Sequence, residues 1–258
     1  MTMNSERPRQ HQPDFSVIIP VLHEQVTLPR CLAKLRLQAD IHRCEIIVVD
    51  GDPEGGTLKT VRDRDMIQMC SPPGRGLQMN TGADAAKGAV LIFLHADTQL
   101  PDRALISIEQ ALKDPAIVGG AFDLGIASER ATLRWIARHA SLRSRWNRIP
   151  YGDQAIFLRK SFFNDIGRYK PIPIMEDVDL MRRVKKRGGR IRFIPDKVLT
   201  SPRRWETEGP VYATVRNQCL LSLFYLGVSP KILARFYTSS REPEKRSIST
   251  EPSQTLIV

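Results

Sequence analysis

Apolar residues fall along this chain in short strand-length runs separated by amphipathic stretches. Residues 15–20, 45–50, 67–70 and 90–94 are runs rich in Val, Ile and Phe, too short for helices. Such runs predict strands buried on both faces. Between them apolar positions recur at helical spacing. Leu28, Leu32 and Leu35 share one face, a short helical stretch is expected at 57–61, and a further helix leads to Gly88 as its stop. After the fourth run, Pro101 opens a helix that turns Leu105, Ile108 and Leu112 inward. Strand and helix alternate over 15–113, which predicts an α/β architecture, a mostly parallel sheet flanked by helices.

The pattern is less regular beyond 113. Strands are expected at 118–123, 154–158 and 190–200, with a turn at Tyr151–Gly152–Asp153 before the second of these. Residues 131–145 form a basic amphipathic stretch. Another helix opens on Glu176 and Asp177 and ends in the basic run 182–187 before Gly188, acids first and bases last, as the helix dipole favours. An apolar helix is expected at 211–226. The chain therefore divides into a polar leader (1–13), a first half (14–113), a second half of the same domain (114–206), a helical extension (207–238) and a tail (239–258) rich in Ser, Glu, Pro and Thr. Leader and tail are expected to be disordered.

Composition narrows the setting. The hydrophobic fraction of 41% is ordinary, and the formal net charge of +11 implies anionic company. Nucleic acid is not the expected partner, because no aromatics interleave with the Lys and Arg and aromatics total only 7%. The four cysteines have no CxxC spacing, so neither disulfides nor a zinc site is expected and a cytoplasmic setting is. The leader lacks the apolar segment of a signal peptide, and no run approaches the roughly 20 residues that span a bilayer. A peripheral contact through 211–236 is the one membrane arrangement the pattern allows; packing back on the domain is the other reading of that segment.

Chemistry concentrates where strands end. The run 90–94 stops abruptly at His95–Ala96–Asp97, whose two polar side chains point the same way if the strand continues. Ligands of open α/β sheets bind beyond the carboxyl ends of strands. That edge also receives Glu24 and Asp50, each of which alone reads as readily as a helix cap or turn residue. The expectation is a divalent ion held by Asp97 and His95 against a nucleotide diphosphate.

These residues carry a resemblance. Ser16–Val17–Ile18–Ile19–Pro20 with Glu24, then Ile47–Val48–Val49–Asp50–Gly51, Arg75–Gly76 with Asn80 and Gly82, and Leu94–His95–Ala96–Asp97 resemble a family 2 glycosyltransferase of GT-A fold. Gly152–Asp153–Gln154, Glu176–Asp177 and Arg203–Arg204–Trp205 extend the likeness to residue 206. It implies a donor half at 14–113 and an acceptor and catalytic half at 114–206. Pro20, Glu24, Asp50, Arg75, Asp97 and Arg204 would hold a nucleotide-diphosphate sugar, a UDP-sugar in the first instance. Asp97 would bind Mn²⁺ or Mg²⁺. Asp153, Gln154 and Trp205 would face the acceptor, although Trp205 also suits the core. Asp177, within the Glu176–Asp177 pair, would be the base of an inverting transfer to an acceptor hydroxyl.

His95 stands where most members carry the first Asp of the DxD motif. A subgroup with His–Ala–Asp here is labelled arsenosugar-biosynthesis glycosyltransferase. Imidazole in that position would suit Mn²⁺ better than Mg²⁺. The rival enzyme class, a sugar-phosphate nucleotidyltransferase, needs a Gly-rich basic loop after the first strand. Val21–Leu22–His23–Glu24 is not one.

Overall fold

The computed structural model describes residues 13–61 and 65–237, so the expected disorder of 1–12 and of the tail falls outside the described residues. Eight strands form one sheet among them: β1 (Phe15–Val21), β2 (Cys44–Asp50), β3 (Ile67–Cys70), β4 (Val90–Phe93), β5 (Thr98–Gln99), β6 (Ile117–Ile126), β7 (Phe157–Arg159) and β8 (Arg190–Thr200). Their spatial order is β3-β2-β1-β4-β7-β6-β8-β5. The β3-β2-β1-β4 half is parallel throughout, as is β6 with β8. Only β7, between β4 and β6, and the short edge strand β5 run antiparallel to their neighbours. The sheet is mostly parallel, as the alternation of elements led one to expect.

Period-two alternation in β1 shows why both faces are covered. Val17, Ile19 and Val21 face one way and pack with Leu28, Leu32 and Leu35 of α1 (Thr27–Arg36) and Leu105 and Ile108 of α3 (Ala104–Ala111). Ile18 faces the other way, toward Met79 and Ala83 of α2 (Arg75–Ala85) and Leu180 of α6 (Glu176–Lys186). All seven residues of β1 are buried. Each large aliphatic among them contributes about 1.5–3 kcal/mol by leaving water. Helix α2 lies unusually close to β1: a Cβ on Gly82 would meet Ile18 Cγ2 at 2.5 Å. Glycine is what lets this helix settle on the sheet and bring its first turn to the strand ends.

Two expectations are adjusted. The stretch 57–61 makes a 3-10 turn, Leu58–Thr60, instead of a helix. The strand expected at 154–158 is a 3-10 turn, Gly152–Gln154, followed by β7 from Phe157. Ala155, held at φ 47°, separates the two, and extended pairing cannot begin before it.

The remaining helices are α4 (Ala131–Asn147), α5 (Lys160–Asp165), α7 (Arg203–Glu208), α8 (Pro210–Tyr225) and α9 (Pro230–Leu233). Leu220 of α8 and Leu233 of α9 bury against Ile174 in a small cluster of their own. The extension therefore packs back on the domain. No described helix is long and apolar enough to cross a membrane.

Candidate active site

A cleft of about 490 Å³ opens at the carboxyl ends of β1 and β4, where α/β sheets take their ligands. The end of β1 supplies Pro20 and, beyond it, Glu24; the loop after β4 supplies His95, Ala96 and Asp97; the first turn of α2 supplies Arg75 and Gln78. From the second half come Tyr151, Gly152 and Asp153 of the 3-10 turn, Asp177 at the start of α6, and Arg203, Arg204 and Trp205 of α7. Asn217, Leu221, Ala234 and Tyr237 of the extension line it as well.

Hydrogen bonds fix the strand-end segments. Gln78, nearly sealed from solvent, donates its side-chain amide to the carbonyls of Val21 at 2.7 Å and Val49 at 2.9 Å, bridging β1 and β2 where they part. The backbone N–H of Ser201 donates to the Asp97 carbonyl at 3.0 Å, tying the metal-candidate loop to the turn after β8. Thr98 donates to Thr200 between β5 and β8 at 3.3 Å.

Asp177 enters through an unusual helix start. The residue before α6, Met175, sits at φ 65° without a side-chain cap. A non-glycine residue there is strained, and such strain collects at functional sites. The Asp177 carboxylate accepts the Val178 N–H at 2.7 Å on Oδ1 and the Gly152 N–H at 2.6 Å on Oδ2. A Cβ on Gly152 would come within 2.9 Å of His95 Nε2 and 3.3 Å of Asp177 Oδ2. His95 and Asp177, far apart in sequence, thus meet across a residue that has no side chain.

Two polar atoms in the cleft wall are buried without a hydrogen-bond partner among the described residues: the Tyr151 hydroxyl and Asp153 Oδ1. The Arg143 guanidinium covers the Tyr151 ring at 3.6 Å. Burial, with the negative charge of Asp177 adding to it, pushes the Asp153 carboxyl up to about 6. Orphaned buried groups are rare and invite a ligand that satisfies them.

Three expected site residues are not among the side chains lining the cleft. Asp50, fully buried, spends its carboxylate on the backbone N–H groups of Asp52, Thr57 and Leu58 at 3.0, 2.9 and 3.4 Å, holding the loop after β2. Gln154 accepts from the Ser144 hydroxyl and the Tyr151 N–H and donates to the Phe122 carbonyl, which locks the 3-10 turn onto β6 and α4. Glu176 is buried and pairs with Arg75 at 2.8 Å. That pair ties the first turn of α2 to the first turn of α6, so Arg75 lines the cleft while its Nε is engaged. Glu24 accepts the Thr27 hydroxyl and faces Arg203 at 3.8 Å. Trp205 both lines the cleft and leans on the core.

Sequence reading missed Tyr151, Gln78, Arg203, Asn217 and Tyr237. Arg203 stood within the Arg203–Arg204–Trp205 motif and Tyr151 beside Gly152–Asp153–Gln154, but neither was assigned a role. Tyr237 comes from the far end of the extension, with Arg204 at 5.1 Å and Arg216 at 5.3 Å from its ring.

Among the described residues no group of three His, Cys, Asp or Glu side chains forms a metal cage. Asp97 and His95 nevertheless face the cleft together. One or two protein ligands suit an ion that is shared with substrate phosphates, so the donor set fits such an ion and does not fit an all-protein site.

Comparison with known proteins agrees with the architecture. An uncharacterized protein, MT1568, of Mycobacterium tuberculosis (strain CDC 1551 / Oshkosh) is 28% identical over 80% of this chain and 72% of its own. A "PGL/p-HBAD biosynthesis glycosyltransferase" of Mycobacterium bovis (strain BCG / Pasteur 1173P2) is 29% identical over 61% of this chain, which matches 63% of that protein's length. Among solved structures, the mannosyltransferase PcManGT from Pyrobaculum calidifontis, in complex with GDP-Man and Mn²⁺, superposes with a TM-score of 0.62 at 19% identity. That match covers 89% of this chain and 66% of the other, and it establishes the fold as GT-A. The model for "Glycosyl transferase family 2" matches residues 16–173, and the chain belongs to that family.

Proposed function

We propose that the protein transfers a sugar from a nucleoside diphosphate donor to an acceptor hydroxyl with inversion, Asp177 acting as base. The observation that carries the reading is the placement of Asp177. Its carboxylate is oriented by two backbone N–H groups, in the same cleft as Asp97 and across Gly152 from His95.

In the reaction, the acceptor oxygen attacks the anomeric carbon and forms the new C–O bond. The bond to the diphosphate oxygen breaks and its electron pair leaves with the nucleoside diphosphate. The acceptor proton passes to Asp177 as the hydroxyl becomes acidic in the transition state. Asp97 and His95 are the residues that would hold a divalent ion, Mn²⁺ or Mg²⁺; when bound, such an ion neutralises charge growing on the leaving diphosphate. Arg204, which lines the same cleft, supports the same charge. Pro20 and Glu24 lie on the donor side. The unpartnered Asp153 Oδ1 and Tyr151 hydroxyl suit the remaining hydroxyls of a sugar, and Trp205 offers its face. Asp50, Glu176 and Gln154 act from behind the cleft wall, holding the loops that carry these groups.

Asp177→Asn is expected to abolish transfer while donor affinity by calorimetry falls far less, since the amide oxygen still accepts one of the two backbone N–H groups but cannot take the acceptor proton. Asp97→Ala is expected to weaken donor binding in the presence of Mn²⁺ and to have little effect in chelator. Transfer at the unmodified rate in Asp177→Asn would falsify the base assignment. Uridine is the base expected from the sequence resemblance, while the solved mannosyltransferase holds GDP-Man; the same calorimetry compares UDP- and GDP-sugars.

A further inference from the structure

Helix α4 is built the wrong way round for a solvated surface helix. Its buried positions are Leu133, Ala137, Ser141 and Ser144, small side chains apart from the first. The opposite face carries Trp135 at 61% exposure, Leu142 at 51% and Trp146 at 90%. Positions 135, 142 and 146 fall within about 40° of each other around a helix of 3.6 residues per turn. His139, stacked on Trp135 with ring centroids 3.9 Å apart, continues the stripe. Exposed arginines, Arg134 and Arg138, flank it. A solvated helix puts its large apolar residues inward and its small polar ones outward. Here two tryptophans face outward on a helix that needs neither for its packing.

A second, independent feature adjoins the end of this stripe. A hollow of about 530 Å³ is lined by Arg182, Arg183, Lys185 and Lys186 of α6 together with Ile149 and Tyr225, and by Asp179, whose carboxylate pairs with Arg183 at 2.8 Å and leaves the lining net positive. Lys185 donates to the Asn147 carbonyl at 3.0 Å, which places the hollow against the last turn of α4. On its other side, α8 ends in Tyr225 and the exposed Leu226. A cationic hollow rimmed by exposed aromatic and aliphatic side chains combines the two interactions that hold proteins at lipid surfaces.

We propose that the outer face of α4, with the basic hollow at its C-terminal end, docks the protein on a bilayer bearing anionic phosphate headgroups. Trp135, Leu142 and Trp146 enter the interfacial region, where tryptophan is favoured. Arg134, Arg138, Arg182 and Lys186 meet the headgroups, and the net charge of +11 favours approach to such a surface. A second copy of this chain is a poorer occupant, since an isologous contact would set the same arginines against each other. The segment 211–236 turns Ala213, Leu220, Leu221 and Leu233 to the protein and leaves Val211, Tyr212, Val215, Leu226, Ile232 and Phe236 exposed, so α4 adds a tryptophan-bearing face to the peripheral contact expected there. The proposal stands whether or not Asp177 is the base.

Flotation of the full chain with phosphatidylcholine vesicles, with and without phosphatidylglycerol, tests it. The expected result is flotation only with the anionic vesicles, accompanied by a blue shift of tryptophan emission. Trp135→Ala/Trp146→Ala should lower the partition coefficient at least about tenfold, with the thermal transition and donor binding unchanged. Arg138→Gln/Lys186→Gln should lower it roughly fivefold per residue and leave a weaker salt dependence. No flotation of the wild type, or flotation of the tryptophan variant equal to wild type, overturns the proposal. So does a concentration-dependent dimer that the tryptophan variant abolishes, with no vesicle binding by either protein.

Discussion

At Asp153 the cost of a buried carboxylate becomes measurable. An unfolded chain releases this proton near 3.8, whereas in the folded cleft it leaves near 6. Between those values the folded protein binds more protons than the unfolded one, so stability falls as pH rises through that window. Above about pH 6 the whole penalty is present. Asp153→Asn removes it, and the variant is expected to gain about 3 kcal/mol over wild type at neutral pH and almost nothing below pH 4. Urea unfolding of both proteins across that range, without substrate or metal, measures the difference. If Asp153 orders the acceptor, the more stable variant will also show a raised acceptor KM with donor affinity retained. A variant no more stable at neutral pH than in acid would mean that solvent or an ion already satisfies Oδ1.

At the scale of elements, the cleft depends on how α2 and α6 are held together. Arg75 and Glu176 open these helices and pair across the gap between them. Arg75→Met takes the guanidinium away from a carboxylate that is only 3% exposed, and breaking a buried pair in this way costs up to about 3–5 kcal/mol. Because the arginine itself remains 27% exposed, the expected loss is nearer about 2 kcal/mol. Arg75→Met/Glu176→Gln, which removes both charges, should recover most of it in a denaturant titration. This pair also shows how far sequence reading reached. The strand–helix order and the strand-end clustering of His95, Asp97 and Glu24 followed from periodicity and the carboxyl-end rule. Whether a strand-end acid faces the ligand or caps a loop depends on the next few backbone dihedrals. Asp50, at a strand end like Asp97, turned to backbone partners behind the wall for that reason. The outward tryptophans of α4 were equally hidden, since a helical period gives the width of an apolar stripe but not the surface that it meets.

At the scale of the whole molecule, the extension is the part of the cleft least tied to the sheet. Leu221 of α8 reaches one of the two clusters that cover the sheet, but α9 rests on Ile174, Leu220 and Leu233, a separate cluster. Beyond it lies Tyr237, near the guanidinium groups of Arg204 and Arg216. Arg216 in turn pairs with Glu208 at 2.7 Å, so α7, α8 and the final turn form one connected roof. A small satellite cluster opens at lower free energy than the main core. Leu233→Ala should therefore detach α9 and Tyr237 locally, without a matching loss of global stability. Hydrogen exchange should show protection falling by at least about tenfold in α9 while β1 and β4 stay protected. Because the detached segment carries one wall of the cleft, transfer should fall with it, and saturating donor should restore part of the rate if the roof acts by ordering Arg204. Loss of protection in β1 as well would mean that α9 and the sheet open as a single cooperative unit.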